Sequence, residues 1–158
     1  MKNIEIERKY LVCGEEFKLS ARQKCYIKQG YLVKDEENTI RIRIKDEKAF
    51  ITFKGKSTDD GLCRFELEEE IRLQSAELLL RRCKGVIIEK VRWIVPFNDL
   101  IIEVDEFLGE NTGLILAEIE LDSTEQTIPQ LPNWIEKEVT GDKRYYNSFL
   151  SSTPFSKW

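Results

Sequence analysis

The sequence contains no histidine among its 158 residues. That removes the commonest general base, the commonest metal ligand and every Ser-His or Cys-His nucleophile arrangement. Any chemistry must run on carboxylates, lysine, arginine, tyrosine and a hard metal ion. Glycine (eight) and proline (four) are too few for a disordered or low-complexity chain. Cysteine is limited to Cys13, Cys25, Cys63 and Cys83, widely spaced and without a C-x-x-C pair. Neither a zinc site nor a disulfide framework is indicated, and reduced thiols suit a cytosolic chain. No stretch approaches the length of a membrane helix, and Met1-Lys2-Asn3-Ile4-Glu5 lacks the apolar run of a signal peptide, which predicts a cytoplasmic protein with no membrane partner. Internal repeats and interdomain linkers are also missing.

What is present is charge in a globular chain: 41% hydrophobic and 34% charged residues, of a length that fits one domain over 1–158. The net charge of −4 argues against an outer surface built as a basic footprint for sequence-specific nucleic acid or anionic lipid. Any anion site must therefore be local. A homodimer is compatible with these features.

Ile4–Val12 reads as a strand with Glu5, Glu7 and Lys9 on one face and Ile4, Ile6 and Tyr10 on the other. Further extended segments are expected at 25–33, 39–45, 48–54, 62–71, 86–95, 100–105 and 114–121, eight in all. Short polar turns between most of them predict antiparallel pairing. The clearest alternation is in Thr39–Lys45, where Ile40, Ile42 and Ile44 interleave with Arg41, Arg43 and Lys45. Helices are predicted over 75–84, with Ser75 as N-cap and Gly85 as the stop, and over 142–150.

Strand by strand, a charged face is explained by solvent. Taken together, however, the signs segregate. Arg41, Arg43, Lys45, Lys54, Lys90 and Arg92 lie on some strands, and Glu5, Glu7, Glu66, Glu68, Glu103, Asp105, Glu118 and Glu120 on others. A solvated surface has no need of that sorting. An eight-stranded sheet closed into a barrel abolishes its edges and encloses room for side chains or one small ligand. The expected fold is mainly β (α+β): a closed eight-stranded antiparallel β-barrel tunnel with a polar, charged lumen and covering helices outside. Acids beside bases in one cavity suit a polyanion bound through a divalent cation. Carboxylates are the hard oxygen ligands that Mg²⁺ or Mn²⁺ prefers, and Arg and Lys neutralise phosphates directly.

Glu5-Ile6-Glu7-Arg8-Lys9 resembles the E-x-E-x-K signature of the CYTH superfamily, the triphosphate tunnel metalloenzymes. The resemblance extends through Gln29-Gly30-Tyr31-Leu32, Arg41-Ile42-Arg43, Thr52-Phe53-Lys54-Gly55, Glu89-Lys90-Val91-Arg92, Glu103-Val104-Asp105, Glu118-Ile119-Glu120 and the segment from Glu138 to Tyr146. It implies an antiparallel tunnel that binds a triphosphate, with metal held by Glu5, Glu7, Glu118 and Glu120 and phosphate by Lys9, Arg41, Arg43, Lys54, Lys90 and Arg92. Lys9, Glu5, Glu7 and Arg41 would carry catalysis, and Glu66, Glu103 and Asp105 would orient the bases or hold a second ion. A C-terminal helix closing one end would turn Lys143 and Arg144 toward the phosphates. The implied reaction is metal-dependent hydrolysis of inorganic tripolyphosphate, with side activity on nucleoside triphosphates. Class IV adenylate cyclisation and thiamine triphosphate hydrolysis occur in the same superfamily.

Two readings stand beside it. A non-catalytic polyphosphate- or nucleotide-binding module would use the same lumen without turnover. A transmembrane β-barrel shares the polar-in alternation, but its strands would be longer and it would have no use for two covering helices. Tyr31 and Trp93 could stack on a base, although packing is the ordinary role of such residues.

Overall fold

The structure, a computed structural model, describes residues 3–158; Met1 and Lys2, and with them the start of the unit expected over 1–158, lie outside the described residues. The chain forms β1 (Ile4–Val12), α1 (Phe17–Ser20), β2 (Gln23–Lys34), β3 (Thr39–Lys45), β4 (Lys48–Ser57), β5 (Cys63–Ile71), α2 (Leu73–Leu80), β6 (Lys84–Phe97), β7 (Leu100–Phe107), β8 (Ile115–Glu120), β9 (Ile135–Glu138) and α3 (Asn147–Leu150). All pairings are antiparallel.

Two meanders, β2-β3-β4-β5 and β6-β7-β8, join through β2 and β6, and β1 enters between β8 and β5 to close the sheet. Along one edge β1 pairs Glu7 to Leu11 with β8. Its other edge is divided, with Ile4 to Ile6 on β5 and Tyr10 and Val12 on β9. The eight strands read from the alternation therefore make a closed barrel. The ninth, β9, lies in the segment after Pro132, which contains no period-2 run long enough to announce a strand, and is an addition to the expected count. At the tight β3–β4 and β6–β7 turns, Asp46 and Asn98 adopt positive φ of 52° each, the conformation that Asp and Asn tolerate best among residues with a side chain.

Alternation fixes the outer face, and three apolar layers form. Phe17 of α1 packs with Ile102, Val104, Ala117, Ile119 and Trp134 over β7 and β8. Ala76 and Leu80 of α2 cover Ile42 and Ala49 of β3 and β4. The third layer lies at one end of the barrel, where Ile88, Phe107 and Leu116 meet Val139, Tyr145 and Leu150 of the C-terminal segment. The outer face is thus covered in large part by protein. Among the described residues no helix is long and apolar enough to cross a membrane.

The expected helices are both corrected. The first begins at Leu73 with Arg72, not Ser75, at its N-cap and ends at Leu80. Gly85 stops nothing: it lies inside β6 with φ +74°, and a Cβ there would come 2.2 Å from the Ser151 carbonyl oxygen. The C-terminal segment lies directly on that glycine, and Val86 N–H donates to Ser151 O at 2.7 Å. The second helix is broken into a 3₁₀ turn, Lys143–Tyr145, and α3, because Tyr146 between them is extended (ψ 136°).

Candidate active site in the barrel lumen

The strand order gathers charges that are scattered in sequence. Going round the barrel, β7, β8, β1 and β5 are contiguous, and they carry the inward acids Glu103 and Asp105, Glu118 and Glu120, Glu5 and Glu7, and Glu66 and Glu68. The remaining arc, β6, β2, β3 and β4, carries Lys90 and Arg92, Arg41 and Arg43, and Lys54, with neutral Gln29 and Tyr31 on β2. The lumen is therefore divided into an acidic and a basic half. Lys9 and Arg64 are the cations set within the acidic arc.

The two halves meet at two seams, and there the charges pair. At the β6–β7 seam Arg92 grips Asp105 with Nε to Oδ1 at 2.7 Å and Nη2 to Oδ2 at 2.8 Å, while Lys90 Nζ donates to Oδ2 at 2.6 Å. Arg92 also lies 2.6 Å from Glu103. Asp105 is 1% exposed and Lys90 fully buried. Burial alone would raise the Asp105 carboxyl, but Arg92 and Lys90 hold it below the usual carboxylate range. At the β4–β5 seam Lys54 donates to Glu5 at 2.7 Å and lies 3.2 Å from Glu66. There Arg41 reaches Glu68 and Thr52.

Away from the seams the charges lack such relief. Arg43, in the middle of the basic arc, donates Nε to neutral Gln29 at 3.0 Å. Burial, then its neighbours Arg41 and Arg92, push its guanidinium down to about 10. Arg41 Nε is buried without a hydrogen-bond partner. On the opposite arc, burial and then the charges of Glu118 and Glu5 push Glu7 up to about 8. Glu118 behaves otherwise: Lys9, 3.4 Å away, and Arg92 outweigh burial and hold it well below the usual range. Unrelieved positive charge thus faces unrelieved negative charge across a cavity of about 680 Å³.

Of the residues read from sequence as site candidates, Glu5, Glu7, Lys9, Arg41, Arg43, Lys54, Glu66, Lys90, Arg92, Glu103, Glu118 and Glu120 line this one cavity. Asp105, inward like Glu103 but buried, does not line it and is bonded to Lys90 and Arg92. Lys143 and Arg144 do not line it, which corrects the expectation that they face phosphate. Arg144 pairs with Asp142 at 2.7 Å and stacks on Tyr145 and Trp158, because the break at Tyr146 turns the preceding residues outward. Tyr146, Asn147 and Ser148 line the cavity instead. Trp93 is an outer-face residue, its ring set edge-on to Phe17 and lying under Lys18 and Lys24.

Sequence reasoning puts Arg64 on the charged face of its strand without naming it as a site residue, and misses Gln29 and the 146–148 turn. Gln29 and Arg64 fall on the inward face by the same period-2 rule that found the other charges. Nothing local in the sequence marks the turn. Among the described residues no three carboxylates gather round a common point with the spacing of a metal centre; Glu5 is turned onto Lys54 and Glu118 onto Lys9.

A closed antiparallel barrel with a charge-divided lumen, plugged at one end by apolar side chains, defines a tunnel barrel suited to a polyanion. The CYTH domain model matches residues 3–146, and the chain belongs to that family. It is 43% identical over 155 residues to a protein of Acetivibrio thermocellus named inorganic triphosphatase, with 98% of this chain and 97% of that protein covered. A Nitrosomonas europaea protein of the same name is 34% identical over 152 residues, covering 93% and 96%. A crystal structure of an inorganic triphosphatase superposes with a TM-score of 0.63 at 32% identity, covering 93% of each chain.

Proposed function

We propose that the protein hydrolyses inorganic triphosphate in its barrel lumen with the help of a divalent cation, and accepts nucleoside triphosphates as secondary substrates. The observation that carries this reading is the division of the lumen. A basic arc with an Arg43 that has only a neutral partner suits a chain of phosphates, and an acidic arc in which burial and then like charge raise Glu7 suits a cation bound against them. The family match and the two inorganic triphosphatases similar over nearly their whole length support it.

The donor set fits a hard ion. Glu5, Glu7, Glu118 and Glu120 offer only carboxylate oxygen, and like charge among Glu7, Glu5 and Glu118 is the strain that a cation relieves. Mg²⁺ or Mn²⁺ held there would supply neutralisation of phosphate oxygens and a water of lowered pKa. The protein's own contribution is placement. Arg41, Arg43, Lys54 and Arg92 fix the phosphate chain from the basic arc, and Lys9 reaches it from the acidic one. Their charges stabilise the transferring phosphoryl group without reorganising, since the β-ladders and the seam pairs hold them in place beforehand. Water adds to the terminal phosphorus and the bridging P–O bond breaks, so that orthophosphate and pyrophosphate leave.

The test is phosphate release from tripolyphosphate, ATP and thiamine triphosphate side by side, with Mg²⁺, with Mn²⁺ and with EDTA. Metal-dependent release greatest on tripolyphosphate is expected. Cyclic AMP and pyrophosphate from ATP with no orthophosphate would make it a cyclase, and binding without release a carrier; either outcome overturns the proposal.

A further inference from the structure

Two of the lumen cations, Lys9 and Lys90, are held in the same way. An ammonium group has three donors. Lys90 Nζ gives one to Asp105 of the adjacent strand at 2.6 Å and one to Asn147 Oδ1 at 3.1 Å. Lys9 Nζ lies 3.4 Å from Glu118 of its adjacent strand and donates to the Tyr145 carbonyl oxygen at 3.2 Å. In each case one partner is an acid on the barrel and the other a neutral oxygen from the C-terminal turn. Both side chains are nearly or wholly buried, and both line the cavity. Tyr146, between the two oxygen acceptors of that turn, places its ring 5.2 Å from Lys9 Nζ and 5.8 Å from the Arg64 guanidinium. Three consecutive residues of the turn therefore touch three cations that belong to three different strands.

We propose that the Tyr145–Asn147 turn is a positioning device for substrate binding, with Asn147 the positioning residue for Lys90. The inference rests on the triphosphatase reading above and adds to it a role for a segment whose apolar residues otherwise serve as a plug. Asp105 is already engaged by both arms of Arg92, so an ammonium held by Asp105 alone would collapse against β7. The second acceptor sets its direction and leaves the third donor for a phosphate oxygen. That acceptor must be neutral. A carboxylate there would cancel the positive charge that the phosphate requires, whereas an amide or peptide oxygen orients the lysine and leaves its charge intact.

The experiment compares Asn147→Ala, Asn147→Asp and Asn147→Gln in the full chain, reading kcat and KM for tripolyphosphate with Mg²⁺, its Kd by calorimetry, and Tm. Asn147→Ala is expected to lower kcat/KM by roughly ten- to a hundredfold, the worth of one hydrogen bond to a charged group. Its Tm should stay within a few degrees of the parent's. Asn147→Asp, which keeps an acceptor but adds a charge, should raise KM and Kd more than Asn147→Ala does. Asn147→Gln should recover part of the loss, since it retains a neutral amide oxygen. If the parent hydrolyses tripolyphosphate and all three variants match it within twofold, or if losses follow Tm alone, the positioning role is wrong and the function stands. A parent that neither hydrolyses nor binds tripolyphosphate overturns the function and the inference with it.

Discussion

Glu7 and Arg43 show how one side chain can be set by its distance from a seam. Both are inward and half-buried in the barrel wall, and neither has an opposite charge on the strand beside it to neutralise it fully. For Glu7 this has a pH consequence. In the metal-free folded state its carboxyl keeps a proton up to about 8, whereas in the unfolded chain it ionises near 4.5. The folded state therefore binds the extra proton between those values, so stability is lost progressively as pH rises from 4.5 through about 8. The Tm of chelator-treated protein should fall across that window, Glu7→Gln should flatten the fall, and Mg²⁺ or Mn²⁺ should restore Tm most strongly at its upper end. A chelated protein whose Tm is unchanged from pH 5 to 8 would remove the acid cluster as a cation site. On the basic arc, Arg41→Ala should reduce kcat/KM for tripolyphosphate by about a hundredfold or more with the fold retained, the scale of losing one preorganised donor to a developing anion. Circular dichroism and steady-state rates decide it.

Elements act by bringing their neighbours to the lumen wall in register. At the β6–β7 seam the Asp105 carboxylate serves two buried cations at once, so Asp105→Asn takes the acid partner from Lys90 and leaves Arg92 leaning on Glu103. The expected loss is about 3–5 kcal/mol of stability, measured by denaturant unfolding, together with most of the activity. On the far side the turn after α2 and strand β6 close so tightly over β2 that a Cβ at Gly30 would meet Cys83 Cβ and Ile87 Cδ1 at 2.8 Å each. Gly30→Ala should cost about 1–3 kcal/mol by overpacking while leaving KM near the parental value, because the substitution pushes away from the lumen, into Cys83 and Ile87 of the apolar layer beneath α2. At the plugged end Leu150 is fully buried beside Phe107 and Ile88. Leu150→Ala is expected to lose roughly 2–5 kcal/mol, and activity as well, since the turn carrying Asn147 is anchored through that side chain.

At the scale of the whole molecule, the barrel is a closed ring that holds like charges together. Hydrogen-bonded ladders compel four acidic strands to be neighbours and four neutral or basic strands to be neighbours, and the strain is relieved by whatever ion pair occupies the lumen. Tripolyphosphate and Mg²⁺ together should therefore raise Tm more than the sum of their separate effects. Ligand at a hundred times its Kd contributes about 2.7 kcal/mol. A simple sum of the two shifts in a thermal melt would mean that phosphate and cation do not share the site.

The strands, their antiparallel pairing, the inward face of each and the identity of almost every lumen charge were determined by the sequence alone. All follow from a period of two and from short turns, which are local properties that neighbouring residues carry in full. Glu5, Glu7, Arg41, Arg43, Lys90 and Glu118 could be read in this way, and the resemblance to one family added the reason for keeping them. Only the tertiary structure decided that β1 closes the ring between β5 and β8. Those contacts join residues 57 to 61 positions apart on the β5 side and 105 to 113 apart on the β8 side, and they turn scattered acids into one arc. The same holds for the C-terminal turn. Lys143 and Arg144 had the composition of phosphate ligands, yet the extended backbone at Tyr146, fixed by packing against Lys9 and Arg64, sent them outward and brought Asn147 to Lys90. A long-range packing choice of that kind leaves no periodic trace in the chain, because its energy is decided by residues that meet only after the barrel has closed.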